Sequence, residues 1–323
     1  MKIHEFTDND YDVIADIRNA CFPDSPGTAE EQRRRDKSLD PKCRQARWVI
    51  ETDGNIVAWG DYFQHSVAYH PRKFAFSIHV HPDHRGRGIG TTLYNHILRA
   101  LEPFDPLSVG MFLREDHERG VWFLSKRGFH QKLRNRMSTL DIATFDFTRF
   151  NGAEEKVRAQ GIEILPLPRL QTDPDYERKL YELSCAIERD IPSISEVTDS
   201  PFDVWLENQL HSSHILPGGY FVAVDGDRFV GISNVCRVTD DMVTPDQTGV
   251  DREYRRRGIA LALKIAVNRW CVENYIKTIR TYNEEANTGM LAINDMLGFV
   301  AGPASVWFEK TLVEEEAQEK EEP

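Results

Sequence analysis

The feature that most constrains this chain is an internal repeat whose two copies keep a constant offset of 170 positions. Residues 80–90 read VHPDHRGRGIG and residues 250–260 read VDREYRRRGIA, so a valine, an arginine and a glycine recur at that offset. The dipeptides Gly128-Phe129 and Gly298-Phe299 recur at the same offset further along each copy. Two separate motifs that keep one register indicate a duplicated domain rather than a chance match.

The chain length agrees with two domains, because 323 residues exceed what a single hydrophobic core usually holds. We place the boundary near Asn151-Gly152, which gives an N-terminal domain over 1–150 and a C-terminal domain over 151–313. Residues 314–323 are rich in glutamate, and this composition predicts a solvated, disordered acidic tail.

Each copy has the same order of predicted elements. A hairpin that turns at Asp53-Gly54 or Asp225-Gly226 precedes an apolar strand over 74–80 or 242–250. The glycine-bearing loop then leads into a segment whose apolar residues recur at helical spacing. A further strand and a short helix end at the Gly-Phe dipeptide. This alternation predicts an α/β fold in each half.

The shared segment combines a strand, the pattern R-x-x-G-x-[G/A] and the start of a helix. The first turn of a helix leaves several backbone N–H groups without partners, and its dipole favours an anion there. Glycine allows a tight turn and a close ligand approach, and successive N–H groups form a nest for phosphate oxygens. Charge-assisted donors are available from Arg85, Arg87, Arg255, Arg256 and Arg257. The sequence therefore predicts a pyrophosphate site at this loop.

Two other phosphate-binding patterns fit the loop less well. A P-loop needs Lys followed by Ser or Thr after its last glycine, whereas Thr91-Thr92 and Leu261-Ala262 stand there. A dinucleotide-binding fingerprint needs the spacing G-x-G-x-x-G, whereas Gly86, Gly88 and Gly90 are evenly spaced.

On these motifs, both halves resemble the GNAT N-acetyltransferase superfamily, over residues 1–146 and 160–312. That family binds the pyrophosphate of acyl-CoA with an R/Q-x-x-G-x-G/A loop after its fourth strand. The resemblance implies an α/β fold (α+β in some schemes) of two tandem GNAT-like domains, each a mixed, mostly antiparallel central sheet flanked by helices. It also implies acetyl-CoA as co-substrate. The implied cofactor-binding residues are Val80, Arg85, Gly86, Arg87, Gly88, Ile89, Gly90, Val250, Arg255, Arg256, Arg257, Gly258, Ile259, Ala260 and Asn287.

The distal motif of the family assigns the two halves different residues. An Asn of that motif commonly contacts CoA, and it maps to Asn287, whereas the first half has His117. The family's tyrosine protonates the departing CoA thiolate, and Leu124 and Asn294 stand at its position. Leucine cannot donate a proton, but an Asn can orient a water molecule or hydrogen-bond sulfur. We therefore give Asn294 a supporting catalytic role.

Aminolysis of a thioester also needs a neutral amine and a group that removes its proton. Many relatives carry a carboxylate on the fourth strand, at the position of Asp246 in the second half and Phe76 in the first. Asp246, Thr248 and Val250 are expected to alternate along one strand face, with a backbone N–H near Val250 meeting the carbonyl oxygen. The alternative is that Asp246 only caps a turn after Pro245. The C-terminal half is thus the predicted enzyme, and the N-terminal half is a degenerate scaffold, a second active site or a wall of the cleft.

Composition and charge exclude several other classes. A net charge of −12 argues against nucleic-acid binding. No apolar stretch is long enough to span a bilayer, and the polar N-terminus does not resemble a signal peptide, which predicts a cytoplasmic protein. Five scattered cysteines predict free thiols rather than disulfides or zinc ligands. The nearby His79, His81 and His84 lack further ligands, so we predict no metal site.

The sequence therefore predicts an acyl-CoA-dependent N-acyltransferase that moves an acetyl group to an amine of a small molecule or peptide. Glu188 and Asp190, at the end of a predicted helix, either line the acceptor pocket or are solvated helix charges. A non-catalytic acyl-CoA sensor or scaffold is the alternative, because both halves lack the usual tyrosine. The residues do not specify the acceptor, the acyl group beyond acetyl or the oligomeric state.

Overall fold

The computed structural model describes residues 1–66, 68–191, 198–212 and 214–313. The predicted acidic tail over 314–323 lies outside the described residues. The helices are α1 Tyr11–Cys21, α2 Ala29–Lys37, α3 Ile89–Leu101, α4 Glu118–Ser125, α5 Ala153–Arg158, α6 Leu167–Leu170, α7 Tyr176–Glu188, α8 Phe202–Trp205, α9 Ile259–Glu273 and α10 Thr288–Leu297. The strands are β1 Lys2–Glu5, β2 Gln45–Thr52, β3 Asn55–Phe63, β4 Lys73–Val80, β5 Ser108–Arg114, β6 His130–Asp141, β7 Ile162–Pro166, β8 Phe221–Asp225, β9 Arg228–Arg237, β10 Met242–Val250, β11 Thr278–Glu284, β12 Val300–Ala301 and β13 Ser305–Thr311.

The chain divides into two units that both combine a mixed sheet with packed helices. The first unit comprises 1–133 with 306–313, and the second comprises 134–191 with 199–305. The strand order is β1-β2-β3-β4-β5-β13 in the first unit and β6-β11-β10-β9-β8-β7 in the second. Most described neighbours are antiparallel, whereas β4–β5 and β10–β11 are parallel. The predicted mixed, mostly antiparallel α/β architecture is therefore confirmed.

The two units do not follow a single division of the chain at residue 150. The strand β6 lies mainly in the second unit, where it pairs antiparallel with β11 from Thr278↔Asp141 to Glu284↔Asn135. The strand β13 lies in the first unit, beside β5. Its Trp307 is 3 % exposed and covers Gly110 so closely that a Cβ there would lie 2.3 Å from the indole ring. Each sheet thus takes one strand from the part of the chain that we assigned to the other half.

The helices after the two loops bury the stripe that their sequences predict. In α3, Leu93, Ile97 and Leu101 follow one another at steps of four, and each is at most 1 % exposed. In α9, Ile259 and Leu263 pack with Val250 and the neighbouring strands in one apolar cluster. Because each helix packs on its sheet directly after the loop, its N-terminus is fixed at the end of β4 or β10.

The parallel strand pairs separate soon after they meet. The strands β4 and β5 pair only from Lys73↔Ser108 to Ala75↔Gly110. The strands β10 and β11 pair only at Met242↔Thr278 and Val243↔Ile279. Beyond these positions the C-terminal part of β10 is paired with β9 alone, so its other edge faces an opening in the sheet. No helix in the described part of the chain is both long and apolar enough to cross a lipid bilayer.

Candidate active site

The loop after β10 has the same backbone conformation as the loop after β4. A short 3₁₀ turn follows each strand, and then an arginine Nε donates to the carbonyl of the strand's last valine: Arg85 to Val80 at 3.1 Å and Arg255 to Val250 at 3.0 Å. The helix then begins at a glycine in the left-handed region, with φ of 80° at Gly88 and 86° at Gly258. Glycine favours this conformation because it has no Cβ.

These loops leave an uninterrupted run of backbone donors. The first helical hydrogen bonds of α3 and α9 are donated by Thr92 to Gly88 and by Ala262 to Gly258. The six preceding N–H groups, of residues 86–91 and 256–261, have no acceptor among the residues that the structure describes. Six N–H groups at a helix N-terminus form a concave donor surface that suits the oxygens of a diphosphate. The main chain of both predicted loops therefore fits a pyrophosphate.

The arginines of the second loop do more than supply free charge. Besides its bond to the valine carbonyl, Arg255 pairs with Asp190, which also accepts from Arg252 at 2.8 and 3.0 Å. Hydrogen bonding from Arg252, followed by Arg255, lowers the pKa of Asp190. Arg257 lies over the ring of Tyr254 at 4.6 Å. Asp190 therefore anchors the loop by pairing with two arginines, and its role is not limited to facing an acceptor.

The remaining predicted cofactor-binding residues differ in the solvent exposure of their side chains. Arg87 and Arg256 are exposed, and Arg256 has a φ of 64°. The side chains of Ile89 and Ile259 are 4 % and 1 % exposed, so only the main chain of these two residues can face a ligand. Gly86, Gly90 and Ala260 also contribute to the loops through their main chain.

The distal Asn and its counterpart both cap a helix. The Asn287 Oδ1 accepts from the N–H of Met290 at 3.2 Å, and the His117 Nδ1 accepts from the N–H of Gly120 at 3.1 Å. Capping occupies one side-chain atom of each residue. The Asn287 amide nitrogen is left to make the predicted contact with CoA.

A β-bulge presents Asp246. The pairing of β10 with β9 shifts between Pro245↔Val235 and Thr248↔Ser233, so the expected alternation of Asp246, Thr248 and Val250 is interrupted. A bulge re-aims the side chains at its extra residue. Asn234 stabilises the bulge, because its Nδ2 donates to Asp246 at 3.1 Å and its Oδ1 accepts from the N–H of Gln247 at 2.9 Å.

The Asp246 side chain is exposed in the second unit and lies near the end of α7. Its side chain still reaches solvent, but surrounding protein atoms displace much of the water, and this desolvation raises the pKa of Asp246. Glu188, at the end of α7, lies close by, since Gln247 donates to it at 3.4 Å. Burial raises the pKa of Glu188, and the charge of Asp246 raises it further. A carboxylate with a raised pKa is suited to accept a proton near neutral pH.

Sequence reasoning named Glu188 as one option but missed the polar groups that join α7 to the bulge. Gln247 also accepts from the Ser184 hydroxyl at 2.9 Å and donates to the Ser184 carbonyl at 3.1 Å, which joins α7 to the bulge. Tyr220 is 4 % exposed, and burial followed by the charge of Asp246 raises its pKa. No local sequence pattern links these residues, because they come from α7, from β10 and from the segment before β8.

Asn294 is completely buried in the second unit. Its Nδ2 donates to the Asn283 Oδ1 at 2.7 Å, and its Oδ1 has no partner among the described residues. Lys264 of α9, which sequence reasoning also missed, is 5 % exposed, and burial lowers its pKa to about 8. The second unit thus contains buried polar groups where a core is usually apolar.

The corresponding positions of the first unit are apolar. Phe76 is 2 % exposed and packs against Tyr94 and Phe129, with ring centroids 6.0 and 5.6 Å apart. Leu124 is 1 % exposed. The strand pair β3–β4 runs without a bulge from Ala58↔Val80 to Phe63↔Ala75. The first unit therefore has the phosphate loop without a counterpart of Asp246.

The three histidines beside the first loop make different contacts, although the rings of His81 and His84 lie 6.0 Å apart. The His79 ring stacks on Trp59 at 4.1 Å, and burial lowers the pKa of His79 to about 3. His81 accepts from the N–H of Asp83 at 3.4 Å. In the part of the chain that the structure covers, no group of three or more His, Cys, Asp or Glu side chains is placed to hold a metal ion.

Known structures share this fold along nearly the whole chain. A GCN5-related N-acetyltransferase from Sphaerobacter thermophilus aligns with a TM-score of 0.71 at 20 % identity, over 97 % of this chain and 96 % of that one. A tandem GNAT protein from the clavulanic acid biosynthesis pathway aligns with a TM-score of 0.74 at 16 % identity, over 98 % and 99 % of the two chains. A glucosamine N-acetyltransferase region of a fungal multi-domain β-N-acetylglucosaminidase aligns with a TM-score of 0.68 at 15 % identity, over 96 % and 38 %.

No curated protein sequence matches this chain. The sequence model of the acetyltransferase (GNAT) family matches it twice, over residues 11–129 and 178–299. Each match contains one of the two phosphate loops and one capped distal helix. With the shared fold and the free N–H groups of both loops, these matches show that the chain is a tandem member of the GNAT acetyltransferase family, whose members transfer acetyl groups from acetyl-CoA to amines.

Proposed function

We propose that the second unit catalyses transfer of an acetyl group from acetyl-CoA to an amine of a small molecule or peptide. The observation that carries the proposal is the placement of Asp246 on the same strand, β10, that ends at a phosphate-binding loop. The strand thus links the site for the co-substrate to the site for proton removal. The cytoplasmic location expected from the sequence stays a prediction.

In this proposal the N–H groups of residues 256–261 hold the diphosphate of CoA, with Arg256 and Arg257 supplying positive charge at the surface. The pantetheine chain then extends into the opening between β10 and β11, where the edge of β10 is not paired to β11. A backbone N–H near Val250 would stabilise the developing oxyanion of the thioester carbonyl.

Asp246 acts in this proposal as the base that removes a proton from the acceptor ammonium. Desolvation raises its pKa toward the range in which a carboxylate accepts a proton efficiently, while its contact with solvent provides a path for proton release. Asn294, being buried, would orient Asn283 or a water molecule near the sulfur rather than donate a proton itself.

Release of CoA thiol from acetyl-CoA, followed with a panel of amines, tests the proposal. We expect turnover that Asp246→Asn lowers strongly, whereas Asp295→Asn, an exposed carboxylate on α10, leaves it unchanged. Mass spectrometry of the acceptor identifies the acetylated nitrogen.

A non-catalytic acyl-CoA sensor is the second candidate, and the complete burial of both Leu124 and Asn294 favours it. Neither residue can donate a proton to the departing thiolate. Saturable binding of acetyl-CoA without thiol release, across primary amines of every charge, would support the sensor and contradict the enzyme.

A further inference from the structure

Lys264 of α9 is a buried cation that no carboxylate of the described residues balances. Its side chain is 5 % exposed, and burial alone lowers its pKa to about 8. The other buried cationic side chain among the residues that the structure describes is Arg47, which pairs with Asp36 at 2.7 Å and with Asp61 at 3.1 Å. A buried charge without a partner costs free energy. Lys264 therefore destabilises the second unit unless a ligand supplies the missing partner.

The Lys264 ammonium lies beside the place where β10 and β11 separate. Its Nζ is 5.6 Å from the centre of the Phe299 ring. Phe299 belongs to the same apolar cluster as Val243 and Ile279, which form the last pair between the two strands. The phosphate loop follows the far end of β10, at Val250. A pantetheine chain that starts at the loop and enters the gap between the strands therefore points its thiol end toward Lys264.

Asn294 adjoins the same ring with an unused acceptor. Its main-chain carbonyl accepts from the N–H of Phe299 at 3.0 Å. Its Nδ2 donates at 2.7 Å to Asn283 of β11, beyond the last residue of that strand that pairs with β10. The Asn294 Oδ1 is buried and has no partner in the part of the chain that the structure describes. Phe299 thus lies next to an ammonium without a counter-charge and to an acceptor without a donor.

The helices nearest to Lys264 and to Asp246 pack on opposite faces of the sheet. The helix α7, whose Glu188 is close enough to feel the charge of Asp246, packs on Val222, whereas α9 packs on the adjacent Ala223. Successive residues of a strand point to opposite faces. A thioester in the gap between β10 and β11 therefore has Asp246 on one side and Lys264 on the other.

The first unit has an uncharged residue at the corresponding position. Tyr94 stands 170 positions before Lys264 and packs against Phe129, with ring centroids 6.1 Å apart. Phe129 is in turn the counterpart of Phe299 at the same offset. The position thus contacts the end of the last helix in both units, but it carries an ammonium in the unit that has Asp246.

We propose that Lys264 is the acid that protonates the departing CoA thiolate. This inference rests on the proposed acetyl transfer by the second unit. An ordinary thiol has a pKa of about 8.5. Because the pKa of Lys264 is about 8, its ammonium can give a proton to a thiolate with little change in free energy. The new S–H group can then donate to the Asn294 Oδ1.

The protons balance in this reaction. The acceptor ammonium gives one proton to Asp246, and its neutral nitrogen attacks the thioester carbonyl and forms the C–N bond. Asp246 passes that proton to solvent and then accepts the second proton of the nitrogen as the C–S bond breaks. The electron pair of that bond goes to sulfur, which takes a proton from Lys264, and Lys264 regains one from solvent. Each turnover forms one amide and one thiol and releases one proton.

Turnover of acetyl-CoA by Lys264→Met tests the assignment. Removal of an unbalanced buried charge is expected to stabilise the fold, so unfolding does not explain a loss of activity. We expect kcat to fall roughly 100-fold, with little change in the KM for acetyl-CoA. The wild-type kcat should decrease as Lys264 loses its proton at high pH, and the variant should lack this decrease. The matched control Lys277→Met, which replaces an exposed lysine of the same unit, should behave like the wild type.

Bound CoA gives a second measurement that needs no acceptor. A thiolate absorbs more ultraviolet light than a thiol, so a pH titration of the complex reports the pKa of the CoA thiol. Desulfo-CoA, which lacks the sulfur, supplies the blank. An adjacent ammonium lowers a thiol pKa by roughly 1–3. We expect this lowering in the wild type and in Lys277→Met, and its loss in Lys264→Met.

The two measurements separate failure of this inference from failure of the proposed function. If no amine is acetylated while the thiol pKa still depends on Lys264, the transferase proposal fails and the contact of Lys264 with sulfur stands. If Lys264→Met keeps the wild-type kcat and thiol pKa, Lys264 is not the acid. A lower kcat with an unchanged thiol pKa and an unchanged pH profile would assign Lys264 a structural role and also overturn the inference.

Discussion

Replacing Gly258 by alanine tests whether the main chain of the second loop binds CoA. Gly258 has a φ of 86°, and an added Cβ would meet no atom within 4 Å. The substitution therefore changes the conformational preference of the loop without a steric clash. In the unbound protein we expect the alanine to relax toward negative φ. This change turns the neighbouring N–H groups away from the diphosphate site.

The magnitude follows from the strain that binding must restore. The left-handed conformation costs a non-glycine residue about 1–2 kcal/mol. If CoA binds only the left-handed loop, this cost is taken from the binding free energy. We therefore expect the Kd for CoA to rise roughly 5- to 30-fold. Isothermal titration calorimetry with CoA measures this change without requiring an acceptor amine.

The matched control is Gly226→Ala in the turn between β8 and β9. Gly226 has a φ of 58°, and an added Cβ there also meets no atom within 4 Å. It should reduce stability by a similar amount and leave the Kd for CoA unchanged. A Gly258→Ala variant with wild-type affinity, or a Gly226→Ala variant that weakens CoA equally, would refute the assignment of the loop.

The same comparison applies to the first unit, with Gly88→Ala and its turn control Gly54→Ala, whose glycines both have a φ of 80°. Because residues 86–91 have the same free N–H groups as residues 256–261, we expect two CoA molecules per chain. Gly88→Ala should weaken one of them only. A stoichiometry of one that is insensitive to Gly88→Ala would exclude the first loop as a binding site.

Three further predictions concern named side chains. Asp246→Asn should lower kcat by about 10²- to 10⁴-fold and leave the KM for acetyl-CoA unchanged. In the wild type, kcat/KM should rise with pH through a pKa above the usual carboxyl range, because only the ionised carboxylate accepts a proton. The variant should lack this rise with pH. Lys264 has a pKa of about 8 in the folded protein and 10.5 in the unfolded chain, so the cost of burying its charge is present below pH 8 and is relieved between pH 8 and 10.5. Lys264→Met should therefore increase the free energy of unfolding by about 3 kcal/mol at pH 7, measured by urea unfolding. A stabilisation that persists at pH 11 would contradict this account. Trp307→Ala should destabilise the first unit by about 3–5 kcal/mol, measured by hydrogen exchange in β5, whereas Trp122→Ala, which is 61 % exposed, should change stability by at most about 0.5 kcal/mol.

Local features of the fold could be predicted from the sequence. The hairpin turns at Asp53-Gly54 and Asp225-Gly226 join β2 to β3 and β8 to β9, and the glycines of the two loops start α3 and α9. These features depend on φ preferences and on periodicity within a few residues, both of which the sequence states directly. The family roles assigned to Asn287, Asn294 and Asp246 stay predictions.

The placement of β6 and β13 could not be predicted in the same way. An alternating strand pattern indicates which face is buried, but it does not identify the neighbouring strand. The bulge at Asp246 was missed for a related reason, since it depends on Asn234 of a different strand bonding to two consecutive residues. The position of Glu188 beside that bulge likewise depends on the packing of α7 against β10, which no local pattern specifies.

The placement of β13 also bears on how the protein is made. The ribosome completes 1–133 early, yet it must add about 170 further residues before Trp307 exists to cover Gly110. At typical synthesis speeds this interval lasts roughly 10–35 s. During that time the edge of β5 lacks its native neighbour, and an unpaired edge invites association with other chains. Nascent chains stalled before residue 306 should therefore need a chaperone, whereas complete chains should not.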